Sequence, residues 1–166
     1  MREKPSFICD SMLGRLSRWL RVLGYDTVFQ RDSSDYDILS LLKSEGNRIL
    51  LTRDRQLYTR ASCHGAECIL IPYENIIEQL SYIGKKLGLS LKVNPDNSRC
   101  SMCNNPLVKV SNINSIRGLI PPLLRLSGRR FWYCVKCNKV FWKGRMWPNI
   151  SRIASAASKA MRRVNR

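Results

Sequence analysis

The sequence predicts an α/β protein: a parallel-sheet domain, then a small four-cysteine zinc ribbon, then a basic C-terminal tail. Three observations carry the prediction. Through about the first 90 residues, short apolar strand-like runs alternate with helical stretches, a pattern that joins parallel strands through crossover helices lying on both faces of a sheet. Two Cys-x-x-Cys pairs follow, Cys100/Cys103 and Cys134/Cys137. Charge is divided unevenly: residues 1–92 hold 14 Lys/Arg against 11 Asp/Glu, whereas residues 93–166 hold 15 against the single acid Asp96. The boundaries expected from these changes are 1–93 for the α/β domain, 94–147 for the ribbon and 148–166 for the tail.

Each element has its own signal. Ser6 to Cys9 is an apolar first strand. Met12, Leu13, Leu16, Trp19, Leu20 and Leu23 recur at helical spacing, and Gly24 stops that helix. Thr27 to Phe29 is a short second strand. Ile38, Leu39, Leu41 and Leu42 mark a second helix ending at Gly46, and Arg48 to Thr52 a third strand. A weakly patterned helix runs from Gln56 to about Ser62. Cys68 to Ile71 is a fourth strand closed by Pro72, and Ile76 to Leu87 a fourth helix before Gly88. Asn94-Pro95-Asp96-Asn97 is the linker. In the tail, Ile150, Ile153, Ala157, Ala160 and Val164 make a thin apolar stripe, expected to become helical on contact with a partner.

The net charge of +17, concentrated where carboxylates are almost absent, points to a polyanion, with nucleic acid the first candidate. A membrane surface fits less well, because no long amphipathic helix with large apolar residues accompanies the charge. The N-terminus MREKPS leads into a strand-like run and not a leader, and no apolar stretch reaches bilayer length, so the expectation is a soluble, cytoplasmic protein without membrane contact. Seven cysteines, an odd number with two close pairs, indicate metal binding in a reducing compartment instead of a disulfide framework.

In a parallel sheet, residues just past the C-terminal strand ends share one edge. Asp10, Asp32 and Asp54 follow the first three strands at intervals of 22 residues, so all three are expected there, with Asp35 and Asp37 nearby. Carboxylates brought together repel, a cost that a hard divalent cation such as Mg²⁺ or Mn²⁺ relieves. Aspartate is also a favoured helix N-cap, and any one of these residues has that alternative role. Asp35 is the first choice for a cap, while Asp10 ends an apolar strand and has Ser11 beside it to cap instead. Arg15, Arg18 and Arg21 are expected opposite the leucines of the first helix, and Arg53 and Arg55 bracket Asp54. Acids for a cation beside arginines for phosphate suit phosphodiester cleavage; a solvated helix face is the alternative for the helical arginines. With His64 the sole histidine, a histidine-pair mechanism is excluded, and the absence of a Gly-Lys-Ser/Thr loop removes nucleotide triphosphate hydrolysis. His64 lies between Cys63 and Cys68 in a segment expected to be a surface turn.

Cys100, Cys103, Cys134 and Cys137 form two knuckles separated by 30 residues. Four thiolates delivered in pairs give a closed tetrahedral zinc shell with no position open for catalysis, hence a structural ion. An iron–sulfur cluster or a redox dithiol is the alternative. Around the second knuckle, Phe131, Trp132, Tyr133, Phe141, Trp142 and Trp147 interleave with Arg129, Arg130, Lys136, Lys139, Lys143 and Arg145. Such interleaving suits single-stranded RNA, though half of the aromatics are expected in the ribbon's own core.

The stretch FICDSMLGRLSRWLRVLGYDTV, the acidic segment from Asp32 to Asp37, RILLTRDRQL, and the two knuckles with IPP between them and CNKVFWKG after resemble the Mut-seven C-terminal ribonuclease family, a PIN-like fold fused to a zinc ribbon. The resemblance covers about residues 6–147. It implies a metal-dependent endoribonuclease with Asp10, Asp54 and one or more of Asp32, Asp35 and Asp37 as metal ligands. Glu74 is the one candidate for a further acid after the fourth strand. By analogy it implies structured, ribosomal or precursor RNA as substrate and the ribosome as a possible partner. The competing expectation is an RNA-binding or ribosome-associated protein without catalytic activity.

Overall fold

A computed structural model describes residues 4–163. Four strands, β1 (Ser6–Cys9), β2 (Thr27–Phe29), β3 (Arg48–Thr52) and β4 (Cys68–Leu70), form an all-parallel sheet in the order β2-β1-β3-β4. The central pair, β1 and β3, is apolar on both faces, as a sheet covered twice requires. Phe7, Cys9, Ile49 and Leu51 face one side with Leu16, Leu20, Leu80 and Ile83, from α1 (Gly14–Val22) and α4 (Ile76–Leu87). Ile8 and Leu50 face the other with Ile38, Leu42, Leu57 and Ala61, from α2 (Asp35–Glu45) and α3 (Arg55–Cys63). The strict alternation of neighbours between two cores is the period of two of a β-strand.

The expected first helix begins as a 3-10 turn over Ser11–Leu13, and Met12, counted in its apolar face, is 58 % exposed. The second helix is capped by Ser34, whose side chain receives Asp37 N–H while Asp37 receives Ser34 N–H, a reciprocal capping box. Asp35, expected as the cap, sits one residue inside.

Residues 108–142 build the smaller body: an antiparallel sheet of β5 (Val108–Lys109), β6 (Phe131–Cys134) and β7 (Lys139–Trp142). Three short strands bury little by themselves. The segment around a 3-10 helix at Ile113–Leu119 therefore folds over them, and Ile116, Ile120 and Phe131 form a separate core.

The expectation for the C-terminal stretch needs correcting. Trp147–Arg163 is a helix, α5, whose apolar stripe lies against the α/β domain itself. Ile153 and Ala157 belong to the same core as Phe7 and Leu80. The partner that the thin stripe requires is α4, and small residues make the approach close. A Cβ on Gly84 would meet Met161 Sδ at 2.9 Å. The exposed face keeps Arg152, Lys159 and Arg162, and Val164 of the predicted stripe lies outside the described residues. Among the described residues no helix is long and apolar enough to cross a membrane.

The two bodies meet along a polar seam, and here a second correction arises. Arg21, expected on the solvent face of the first helix, is buried. Its Nε donates to Thr27 C=O at 2.9 Å, and its Nη1 to the Ser101 and Met102 carbonyls inside the first knuckle at 3.1 and 3.0 Å. Asn104, the next residue beyond that knuckle, accepts Thr27 N–H at 3.0 Å and donates to Asp26 at 2.8 Å. Asp26 also pairs with Arg48 and Arg99. The linker is pinned by Ser98 Oγ donating to Val22 C=O at 2.6 Å. Gly24, in the left-handed region at φ +90°, lies so close beneath it that a Cβ would be 2.4 Å from the Asn97 carbonyl.

Two outcomes follow from these contacts. Ile153→Ala should lower stability in urea denaturation by about 2–5 kcal/mol, the cost of a cavity in a shared core; a solvent-exposed tail would register almost no change. Burial works to raise Asp26, but hydrogen bonds from Arg48 and Asn104 and the charges of Arg48 and Arg99 outweigh it and hold the carboxyl below its ordinary value. Its contribution is therefore present above the unfolded value of about 4 and lost as pH falls through the lower, folded value. Denaturation curves at neutral and acid pH should show Asp26→Asn less stable than wild type at pH 7, with the difference shrinking on acidification.

Candidate active edge and metal centre

β1 and β3 are neighbours, so their C-terminal ends bring Asp10 and Asp54 to one edge of the sheet, and Asp32 follows β2 on the same side. Asp10 is 4 % exposed. Its Oδ1 accepts Met12 N–H at 3.0 Å, and its Oδ2 accepts Arg53 N–H at 3.2 Å and the Thr52 hydroxyl proton. The same Thr52 Oγ1 accepts Asp54 N–H at 2.9 Å. One buried threonine thus clasps the carboxylate of β1 to the strand end carrying Asp54. Asp10, and not Ser11, is the cap of the 3-10 turn, because its extended backbone aims the carboxylate at the free N–H groups behind it. Asp54 caps α3 through Oδ1, at 2.7 Å from Gln56 N and 3.1 Å from Leu57 N.

The other acids are more dispersed. Asp32 is exposed, with no hydrogen bond or ion pair among the described residues. Asp35 pairs with Arg60 at 2.7 Å, and Glu74 pairs with Arg53 at 2.9 Å. Asp37 is committed to its capping box. Among the described residues no three carboxylates lie within the 4.8 Å mutual spacing that the cysteines share. This donor set fits a hard cation held through one or two carboxylates and otherwise by water and substrate oxygens, the habit of Mg²⁺, better than a fully protein-built cage.

Arg15 lies in the first turn of α1, with Arg18 one turn further, and Arg55 opens α3. All three are exposed and none pairs with a carboxylate among the described residues. On the ribbon, Lys136 and Lys139 flank the second knuckle, and Arg129, Arg130, Lys143 and Arg145 are exposed on the loops before β6 and after β7. Phe131 and Trp132 are buried, whereas Tyr133, Phe141, Trp142 and Trp147 stay partly exposed.

The four cysteines converge. Cys103 and Cys134 sulfurs are 3.5 Å apart, Cys100 and Cys137 sulfurs 3.9 Å, and all four lie within 4.8 Å. These spacings are far longer than a disulfide's. A tetrahedron with Zn–S bonds of about 2.3 Å has sulfur–sulfur edges of about 3.8 Å, so the cluster fits zinc. Both knuckles close through an asparagine in the left-handed region, Asn104 at φ 69° and Asn138 at φ 51°, a conformation asparagine tolerates better than most residues. Crowding splits the thiols. Burial disfavours the Cys103 thiolate, but the Asn105 backbone and the neighbouring sulfurs bring it down to about 7; hydrogen bonding to Cys103, then burial, push Cys137 up to about 12. Holding all four as thiolates near neutrality needs a cation. His64 and Cys63, by contrast, are exposed on the turn after α3, with His64 Nδ1 bonded to Arg60 C=O.

Sequence reasoning did not single out Thr52, Asn104 or Asp26. Signals were present: a threonine two residues before Asp54 at a strand end, and Cys-x-x-Cys-Asn written twice.

No curated protein and no solved structure matches the chain. A family model, the Mut7-C RNAse domain, matches residues 5–154, from just before β1 into α5. With the match running through the parallel sheet, the acidic edge and both knuckles, the chain belongs to the Mut7-C RNAse domain family.

Proposed function

We propose that the protein is a metal-dependent endoribonuclease acting at the C-terminal edge of the parallel sheet, with the ribbon's four cysteines holding a structural zinc. The observation that carries this reading is the buried Asp10 carboxylate at the end of β1, clasped by Thr52 beside Asp54 in a member of a ribonuclease-domain family. Every hydrogen bond to the Asp10 carboxylate comes from a donor on the fold, Met12 N–H, Arg53 N–H or the Thr52 hydroxyl, which keeps the carboxylate fixed in orientation. Asp54 offers its second oxygen, and Asp32 is free to approach from β2. Mg²⁺ or Mn²⁺ bound there would supply an acidified water and polarise a phosphoryl oxygen. Arg15, Arg18 and Arg55 hold the phosphodiester backbone along the edge, and the cationic ribbon draws in structured, ribosomal or precursor RNA.

A second reading, RNA binding without cleavage, is favoured by the structural engagement of the acids. Asp10 and Asp54 are caps, and Asp35 and Glu74 are ion-paired.

Labelled structured RNA incubated with Mn²⁺, Mg²⁺ or neither decides between them. Metal-dependent cleavage is expected. Asp10→Asn should reduce it to the metal-free level with RNA affinity nearly unchanged. The amide cannot accept from Met12, Thr52 and Arg53 together, so a stability loss of about 1–3 kcal/mol accompanies it. Thr52→Val, which leaves the carboxylate in place, separates the two effects: apparent metal affinity should fall about 10–100-fold. Cleavage by Asp10→Asn at the wild-type rate would leave the binding reading. For the ribbon, metal analysis should find about one zinc per chain, lost together with ordered ribbon signals in Cys100→Ser; a coloured, iron-containing protein would refute it.

A further inference from the structure

Between the linker and the ribbon lies a cavity of about 370 Å³, lined by Asn94, Pro95 and Asp96 on one side and Arg129, Arg130 and Lys143 on the other. Its charges are arranged for an anion. Asp96 is the sole carboxylate of the C-terminal half, and its Oδ1 is taken by the indole N–H of buried Trp132 at 2.9 Å. Arg129 is oriented by backbone oxygens, Nε to Arg125 C=O at 2.8 Å and Nη1 to Lys143 C=O at 3.3 Å. Arg129, Arg130 and Lys143 form no ion pair among the described residues. Three cations therefore face one carboxylate that is already engaged, in a recess where their charge is less diluted by water than on an open surface.

A second cleft, about 100 Å³, opens beside it and shares Pro95 and Trp132. Phe141, Trp142 and Trp147 give it aromatic walls. Lys143 links the two sites as well: it lines the cavity and has its Nζ 4.7 Å from the Trp147 ring centre. An anion site joined to an aromatic-lined cleft has the two chemistries of a nucleotide in adjacent positions.

We infer that this seam holds one nucleotide of single-stranded RNA, the phosphate among Arg129, Arg130 and Lys143 and the base against Phe141, Trp142 and Trp147. The strand is single because bases in a duplex keep their faces stacked and cannot enter the slot. The inference rests on the RNA-directed reading above but not on cleavage.

The test uses the full zinc-loaded chain in buffer without Mg²⁺ or Mn²⁺, so that binding is read alone. Its probes are a labelled single-stranded hexanucleotide, a duplex of the same sequence and a 5′-mononucleotide. Phe141→Leu keeps an apolar side chain in β7 and removes the π-face; it should weaken single-strand binding at least about 5-fold and leave duplex binding unchanged. Arg130→Gln should reduce the slope of log affinity against log salt for the single strand by about 0.7. Near-ultraviolet circular dichroism confirms that each variant keeps its ribbon. Variants that leave single-strand affinity and slope untouched, or that weaken single strand and duplex equally, overturn the seam site while the ribonuclease reading stands on its cleavage assay. Mononucleotide binding as tight as the hexanucleotide's would also overturn it, in favour of a free-nucleotide site. A wild type that binds neither RNA form overturns it together with the RNA-directed reading.

Discussion

Arg21 carries a positive charge into a place with little access to water, and the joint between the two bodies of the molecule radiates from it. Its three hydrogen bonds tie the end of α1 to edge strand β2 and to the backbone of the first cysteine knuckle. Burial pulls the guanidinium down from its ordinary value, and the nearby sulfurs of Cys9, Cys100 and Cys103 oppose that pull. A buried charge is tolerated when its donors are satisfied and a counter-charge is close. Four thiolates around Zn²⁺ carry a net charge of −2, so the ion that would organise the ribbon also supplies the environment in which Arg21 is comfortable. The knuckle and the sheet edge are consequently one electrostatic unit.

The same economy appears at the acidic edge. Asp10 and Asp54 close the N-terminal ends of the elements behind them and are joined through Thr52. A carboxylate that only coordinated a cation would be free to swing when the cation left. One that also satisfies backbone N–H groups is held in its rotamer by the fold, which is how a site is pre-organised. Capping and coordination are thus compatible uses of one side chain, since each carboxylate oxygen accepts more than one bond.

Much of this arrangement was legible in the residues. The apolar runs at Phe7–Cys9 and Ile49–Leu51 announce central strands because parallel strands are buried on both faces, and Gly46 and Gly88 do terminate α2 and α4. The knuckles were legible because metal spacing is local. Arg21 was not, since its position in the series Arg15, Arg18, Arg21 is indistinguishable from a solvated stripe until the knuckle 80 residues on is placed over it. Nor was the docking of α5. A stripe of Ile and Ala is too thin to reveal its partner, and part of what seats it is a glycine on another helix, Gly84, whose missing side chain leaves the space that Met161 fills.

The position of α5 also determines when the protein can become whole during synthesis. The ribbon is written between α4 and the helix that packs on α4, so in space it is an insertion within the α/β core. A ribosome releases residues 1–93 and then the entire ribbon before Ile153 and Ala157 are available to cover that core. Until they arrive, the apolar flank of α4 and α1 stands open to water. The nascent chain thus spends its most aggregation-prone interval with four unligated or newly ligated cysteines already exposed on it. All four ribbon cysteines are thereby synthesised before the helix that closes the parallel-sheet domain.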